Sequence, residues 1–490
     1  MSRPSRIATP TLFASALLGC IIFATTAYAQ VPLTQISTDP YTNATSQHAT
    51  EVEADSYAVG STIVSVFQVG RFTDGGSSDI GFSTSTNGGT TWTHGFLPGI
   101  TKFQNGGKYD RASDPAVVYD AKHKLWLVST LPLLEAGGAH GAAVAISSSV
   151  DGITWKNPTF VAKASSSGFF DKDWIGCDNT TTSKFYGNCY VAWDDFSQFD
   201  LALMSTSKDG GKTWGAPKTT AANDSANGGI PLVQPNGTVI IPMGNGFGSG
   251  VIATRSTDGG NTWSAAVSVA NINSSGVSGG LRAIPLPAAQ IDKAGKVYVA
   301  WADCSFRSGC SSNDIVFSTS NDGITWSAIS RVPIDAVTSK ADHFIPGLEV
   351  DRTTSGATTH MAVTYYFYTS ATCSVCKLGV GYVASTNGGS TWSKAKTLST
   401  GTDTNWLPTT TSGQMVGDYM SATTEGGKVH GVFATAKANV GSKLNESMET
   451  NATGLADIAE DGITYTSEHD KPVANAHSTR PVSKVPLLGQ

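Results

Sequence analysis

The 490 residues predict an all-β protein, a β-propeller of four-stranded blades, from three observations. A Gly- and Asp/Asn-rich box ending in tryptophan recurs along the chain, paired strand-like runs accompany each copy, and only 14% of residues are charged. That low charge, with 53 glycines and 20 prolines, argues against a helical bundle or coiled coil. A hydrophobic fraction of 40% argues against global disorder. The formal charge of −6, with no basic run, gives a nucleic-acid partner no electrostatic footing.

The box reads Ser85-Thr86-Asn87-Gly88-Gly89-Thr90-Thr91-Trp92 and returns at 207–214, 256–263 and 385–392. A form one residue shorter occupies Asp151-Gly152-Ile153-Thr154-Trp155 and Asp322-Gly323-Ile324-Thr325-Trp326, and 461–465 is a worn seventh copy. The six tryptophans lie 63, 59, 49, 63 and 66 residues apart, a blade-sized period. Asp or Asn accepts hydrogen bonds from its own loop backbone, and glycine supplies positive φ. The tryptophan then packs on the turn and the neighbouring sheet, so box residues read as staples and not as catalysts.

Strands are justified by the apolar runs at 62–69, 125–130, 190–193, 239–243, 297–301 and 361–367, each the second strand of a blade. A first strand precedes each, as 114–119 precedes 125. Such pairs number seven, the last being 418–423 with 428–433, so seven blades are expected, with six as the alternative. Radial repetition hides most sheet edges. The propeller is placed at 30–470, followed by an irregular tail at 471–490.

Residues 1–29 read as a signal peptide: Arg3 and Arg6, an apolar run at 12–27, then Ala27-Tyr28-Ala29. A lipoprotein site at Leu17-Leu18-Gly19-Cys20 competes, but the apolar run continues through Ile21, Ile22 and Phe23, which favours plain secretion. Loss of the two arginines takes the charge from −6 to −8. No later stretch is long and apolar enough to span a bilayer. The six other cysteines, Cys177, Cys189, Cys304, Cys310, Cys373 and Cys376, form pairs 12, 6 and 3 residues apart. In an exported chain that reads as three local disulfides, with connectivity left open. No metal motif or cofactor signature is present; Asp171-Lys172-Asp173 and Asp194-Asp195 read as solvated loops in preference to calcium ligands.

Box turns lie on one face of such a propeller, so a site should draw on the other face, where first strands start and second strands hand over to third. That filter keeps Glu51, Glu53, Asp55, Arg71, Asp74 and Asp79 from blade 1, and Arg111 and Asp114 from blade 2. It keeps Asp171, Asp173, Trp174, Asp194 and Asp195 from blade 3, Arg282 from blade 5, Asp342 and His343 from blade 6, and Asp418 and Tyr419 from blade 7. Arg71, Arg111 and Arg282 would make a carboxylate clamp, because guanidinium binds carboxylate bidentately. The bland alternative pairs each arginine with a nearby acid to fasten a loop.

The boxes resemble the Asp-box, or bacterial neuraminidase repeat, of sialidase-like propellers. Val66-Phe67-Gln68-Val69-Gly70-Arg71 with Asp74 is similar to the sialidase segment where a triad arginine precedes the acid/base aspartate. Ser113-Asp114-Pro115 is similar to that family's second-blade start, and Gly417-Asp418-Tyr419 sits where its nucleophile strand falls. The resemblance implies that Arg71 binds the sialic acid carboxylate, Asp74 protonates the leaving oxygen, and Tyr419 attacks the anomeric carbon; Asp79 is the other candidate acid for a hydrolase of acidic glycans. The chain departs from the family at 50–55, where it lacks the arginine-isoleucine-proline strand, and at Ile230 and Gly244, which stand near the places of a glutamate and an arginine.

The function expected is therefore a secreted, sialidase-like glycoside hydrolase acting on acidic glycans, monomeric, with Arg71, Arg111, Arg282, Asp114, Trp174 and His343 binding substrate. The alternative is a noncatalytic glycan- or protein-binding propeller using Trp174 and Tyr419 as stacking platforms. A uronate lyase built on Tyr419, His343 and Arg282 is a weaker third reading.

Overall fold

The computed structural model describes residues 1, 31–456 and 465–466; apart from residues 1 and 465, the expected leader, the worn box at 461–465 and the tail at 471–490 lie outside the described residues. The second-strand runs read from sequence are all strands, extended by a few residues. Blade 1 consists of Glu51–Val59, Thr62–Arg71, Ser77–Ser85 and Thr93–Phe96, and blade 2 of Arg111–Asp120, Leu125–Leu134, Ala143–Ser149 and Thr159–Lys163. Blade 3 runs Phe170–Cys177, Cys189–Asp195, Leu201–Ser207 and Lys218–Thr219. In blade 4 the inner strand is broken into Ala226–Asn227 and Leu232–Val233, ahead of Val239–Asn245, Gly250–Ser256 and Val267–Asn271. Pro231 lies in that break and has no N–H to give a ladder.

Blade 5 holds Ala288–Ile291, Val297–Asp303, Asp314–Ser320 and Ser330–Arg331, and blade 6 holds Asp342–Val350, Met361–Tyr368, Lys377–Ser385 and Lys396–Asp403. Blade 7 combines Ser421–Glu425, Lys428–Ala436 and Glu446–Asn451 with Leu33–Gln35, the N-terminal strand, which pairs antiparallel on its outer edge. The innermost strands neighbour one another in sequence order, and that of blade 7 returns to that of blade 1, closing a ring of seven. No helix among the described residues is long and apolar enough to cross a membrane.

Why these segments become strands follows from burial. Thr62–Arg71 is buried along nearly its whole length, because both faces of each sheet are covered by the blades beside it. Apolar clusters accordingly fill the wedges between blades, such as Tyr190, Ile241, Met243 and Trp263 between blades 3 and 4.

The box turns fasten each wedge on one face. Ser385 Oγ accepts the Gly389 N–H at 3.0 Å, Asn387 Oδ1 accepts the Thr391 N–H at 2.8 Å, and Trp392 Nε1 donates to the Gly389 carbonyl at 3.0 Å. The same bonds recur in the 85–92 and 207–214 boxes. Gly389 has φ +85°, and a Cβ there would stand 2.6 Å from the Phe317 ring of blade 5, so glycine is required twice over. A box thus clips its own blade to the preceding one. The three disulfides are Cys177–Cys189, Cys304–Cys310 and Cys373–Cys376, the pairs expected from spacing.

Trp392 is fully buried and its ring meets Phe317 edge-on at 6.0 Å. Trp392→Ala should cost about 3–5 kcal/mol of stability through the cavity it leaves. Denaturant unfolding checks this; a loss below about 1 kcal/mol would mean that the box tryptophan is not a staple.

Candidate functional site

The front of the ring, opposite the boxes, is shaped by one repeated backbone irregularity. The innermost strands of blades 1, 2, 3 and 6 each slip register after their first few residues, between Val52 and Asp55, Ser113 and Ala116, Asp171 and Trp174, and Phe344 and Gly347. Each slip contains a non-glycine residue in the left-handed region: Glu53 at φ 57°, Asp114 at 47°, Lys172 at 49° and Ile345 at 48°. Such residues cost about 1–2 kcal/mol each and persist only where surroundings impose them. A bulge re-aims a side chain, and here three of the four are charged.

Lys172 is the meeting point. Its ammonium lies 3.0 Å from Asp114, 3.5 Å from Glu53 and 2.8 Å from Asp418, side chains of blades 2, 1 and 7. Arg282 Nε donates to the other Asp418 oxygen at 2.7 Å, and a second guanidinium N–H of Arg282 completes a bidentate pair. Gly417 has φ +118°, and a Cβ there would stand 2.8 Å from the Glu53 nitrogen, so blade 7 approaches the blade 1 bulge closely only through glycine.

Burial opposes ionisation of Asp418, yet Arg282 and Lys172 outweigh it and hold the carboxyl far below its usual range. Glu53 is instead raised to about 7 by burial, against the pull of Lys172. Asp171 rises to about 7 through burial and the Asp114 charge. Asp173, fully buried beside the Ser129 hydroxyl, is pushed well above the carboxylate range by burial and by Asp114. This floor therefore mixes ion-paired carboxylates with carboxyls that keep their protons at neutral pH.

Above the floor a cavity of about 470 Å³ follows the propeller axis. It begins among Lys172, Asp173, Asp418 and Tyr419 and passes Trp174 and Val117 towards Lys293 and Arg352 at the box face. The Trp174 and Tyr419 rings meet edge to face at 5.0 Å, making an aromatic corner beside the charged floor. At the far end Arg352 stacks on Tyr57, 4.1 Å from the ring centre, and donates to Gln290 at 3.2 Å.

Of the residues singled out from sequence, Asp55, Asp114, Asp173, Trp174, Asp418 and Tyr419 line this cavity, while Arg282 supports its floor. The other arginines do not join them. Arg71 is buried behind Glu53, donating to Gln68 at 3.2 Å and the Gly76 carbonyl at 2.9 Å. Arg111 sits on the rim, ion-paired to Asp74 at 2.5 Å and Glu135 at 3.1 Å and stacked on Phe72. Each guanidinium meets an acid or carbonyl supplied by its own surroundings, so the three do not assemble into an open clamp.

Asp79 is buried and accepts a hydrogen bond from Tyr41 at 3.0 Å, away from the cavity. His343 belongs to a separate fastening of blades 5 and 6, 3.8 Å from Asp335, where Arg307 and Arg331 also converge on Asp314. Tyr419 keeps its proton firmly, because burial and the carboxyls of Asp114 and Glu53 push its phenol up. Nor are 171–173 and 194–195 a solvated loop: all but the flanking Trp174 are buried. The bulge lysine, Lys172, was passed over; its only sequence signal is a charged triplet opening an inner strand, at the place of Glu53 and Asp114 in blades 1 and 2.

The family described as the BNR repeat-like domain matches residues 62–291. No curated protein matches the chain. Among solved structures, the chain is similar to an ulvan lyase of a new polysaccharide lyase family, at 10% identity over 90% of this chain and 100% of that one, with a TM-score of 0.51. It is also similar to the NanB sialidase from Streptococcus pneumoniae, at 14% identity over 85% of this chain and 70% of that one, TM-score 0.40. A protein of unknown function from Dyadobacter fermentans DSM 18053 matches at 17% identity over 73% of this chain and 99% of that one, TM-score 0.46.

Buried carboxyls with raised pKa values make the propeller sensitive to alkali. Burial raises Asp55 to about 6 and Asp171 and Glu349 to about 7. The unfolded chain releases these protons near pH 4, so between about pH 4 and 7 the folded state binds more protons and stability falls as pH rises. On the acid side the box carboxylates act oppositely. Although burial opposes it, the Thr154 and Ile153 N–H groups lower Asp151 to about 2, and its contribution disappears as pH drops from about 4 to 2. Calorimetry should therefore show a higher Tm near pH 5 than near pH 8; the reverse order would mean these carboxyls ionise freely in the folded protein.

Proposed function

We propose that the protein is a glycan-active propeller that hydrolyses a glycosidic bond in the axial cavity. The observation that carries this is the pairing, in one cavity, of a proton-holding carboxyl, Asp173, with an ion-paired carboxylate, Asp114. A carboxyl that holds its proton beside a carboxylate held in an ion pair is the arrangement glycoside hydrolysis uses. Asp173 gives its proton to the glycosidic oxygen as the bond to the anomeric carbon breaks. Asp114, whose Lys172 partner is held by Glu53 and Asp418, faces the positive charge that develops there and takes a proton from the water that adds its hydroxyl. Trp174 and Tyr419 offer the aromatic corner against which a pyranose ring stacks.

Sialic acid is not the sugar this arrangement favours. Arg71, Arg111 and Arg282, which would bind its carboxylate, are already engaged, and the floor holds more carboxyls than cations. The proposal therefore moves the acid from Asp74 to Asp173 and the substrate to a glycan that presents a neutral ring at the floor. Three disulfides suit an oxidising compartment outside the cytosol, in keeping with the leader read at 1–29. The engaged arginines equally favour a second reading, a noncatalytic glycan-binding propeller.

A panel of chromogenic neutral glycosides, sialosides and uronides separates these readings. Turnover of a neutral glycoside should fall about 10²–10⁴-fold in Asp173→Asn with the fold intact. Sialoside release lost in Asp74→Asn would contradict the assignment and restore the rim site. Saturable binding without turnover, abolished by Trp174→Ala, would establish the noncatalytic reading.

A further inference from the structure

At the box-face end of the axial cavity stands a cation with no acid to pair with. Arg352 follows the inner strand of blade 6, is half-buried and lines the cavity. Its guanidinium lies over the Tyr57 ring at 4.1 Å, and one N–H donates to the Gln290 side chain at 3.2 Å. A guanidinium carries five N–H donors, so most are left over, and among the described residues Arg352 makes no ion pair. The acids nearest to it are engaged elsewhere. Asp55 accepts the Val117 N–H at 2.8 Å and the Ser421 hydroxyl at 3.3 Å, Glu349 accepts the Thr424 N–H at 2.9 Å, and Asp351 accepts the Thr353 N–H at 2.8 Å. Burial also raises Glu349 to about 7, which keeps it from being a full counter-charge at neutral pH.

A second cation is brought to the same mouth by the backbone. Lys293 is exposed in the inner hairpin of blade 5, lines the cavity, and donates its N–H to the Thr354 carbonyl of the 351–360 loop at 2.9 Å. Asp292 fastens the two hairpins further by accepting the Thr359 hydroxyl at 3.2 Å, and it also accepts the Ala294 and Lys296 N–H groups at 2.9 Å. Its carboxylate is thereby engaged with local donors, and the Lys293 ammonium makes no ion pair among the described residues. Stacking on Tyr57 fixes the plane of Arg352 and leaves its N–H edge free, the geometry that receives two oxygens of one oxyanion.

We infer that Arg352, assisted by Lys293, is an anion-binding subsite at the box-face mouth of the axial cavity, and that it takes a carboxylate or sulfate ester carried by a glycan. As a glycan subsite it rests on the glycan-active reading. From the bulge at Lys172 to its end at Cys177 the inner strand of blade 3 rises about 16 Å, more than one sugar ring spans. The ring at the floor and the anion at the mouth therefore belong to different units of one chain. The substrate class is an oligosaccharide that is neutral where it meets Asp173 and acidic where it meets Arg352.

Titration calorimetry of the purified protein at low ionic strength, with inorganic sulfate and with D-glucuronate as probes, tests this. At least one of the two anions should bind saturably, and the tighter of them tells a sulfate ester from a carboxylate. Arg352→Gln, checked by melting to be folded, should weaken that binding about tenfold or more, as expected for loss of a charge-assisted pair. Lys293→Gln, a change on an exposed turn, should weaken it about threefold. If neither anion binds the wild type saturably, or if Arg352→Gln binds as well as the wild type, the subsite is overturned. Should Arg352→Gln fail to fold, Lys293→Gln decides, and unchanged affinity there overturns it. The readout is anion binding and not turnover, so a negative result leaves the hydrolase reading standing, and an inactive protein that binds these anions leaves the subsite standing.

Discussion

Lys172 sits where four blades converge, and the axis of the propeller is organised around it. Its backbone adopts a left-handed conformation that a side-chain-bearing residue holds only under constraint, and its ammonium gathers acids from blades 1, 2 and 7. Asp418 then recruits Arg282 from blade 5. Without that cation, three carboxylates would face one another in a space that admits little water. Buried ion pairs of this kind need not add stability over an apolar core, but breaking one by removing a partner leaves an uncompensated charge. The consequence for chemistry is a floor on which Asp418 and Asp114 are ion-paired while Asp173, the residue after Lys172 on the same strand, retains its proton.

The two faces of the ring thus divide the work. Box turns secure the wedges through hydrogen bonds made within eight residues, as Ser385, Asn387, Gly389 and Trp392 do. The front face secures the axis through charges that lie far apart in sequence. A side chain on the box face is replaceable by another that turns the chain the same way, whereas one on the front face is tied to partners in several blades.

That asymmetry explains what could be read in advance. The boxes, the seven strand pairs and the three cysteine pairs are written in short spacings, and each corresponds to a local feature of the fold. The partner of an arginine is not written that way. Arg282 and Asp418 are 136 residues apart and Lys172 and Asp418 are 246 apart, so nothing local reveals that they meet. Arg71 and Arg111 passed the geometric filter because they do lie on the front face, but each finds its acceptor in a neighbouring loop before any ligand does. Asp173 was visible as a candidate; what set it apart from Asp74 was burial, which depends on the completed ring.

The account rests on Lys172 and Asp418 acting as one unit, and a double-mutant cycle with Lys172→Met and Asp418→Asn measures that directly. Denaturant unfolding of the two single variants and the double variant should give a coupling free energy of more than about 1 kcal/mol, with the double variant less damaged than the sum of its parts. Effects additive to within about 0.3 kcal/mol would contradict the account, because the two residues would then be stabilised by something other than each other.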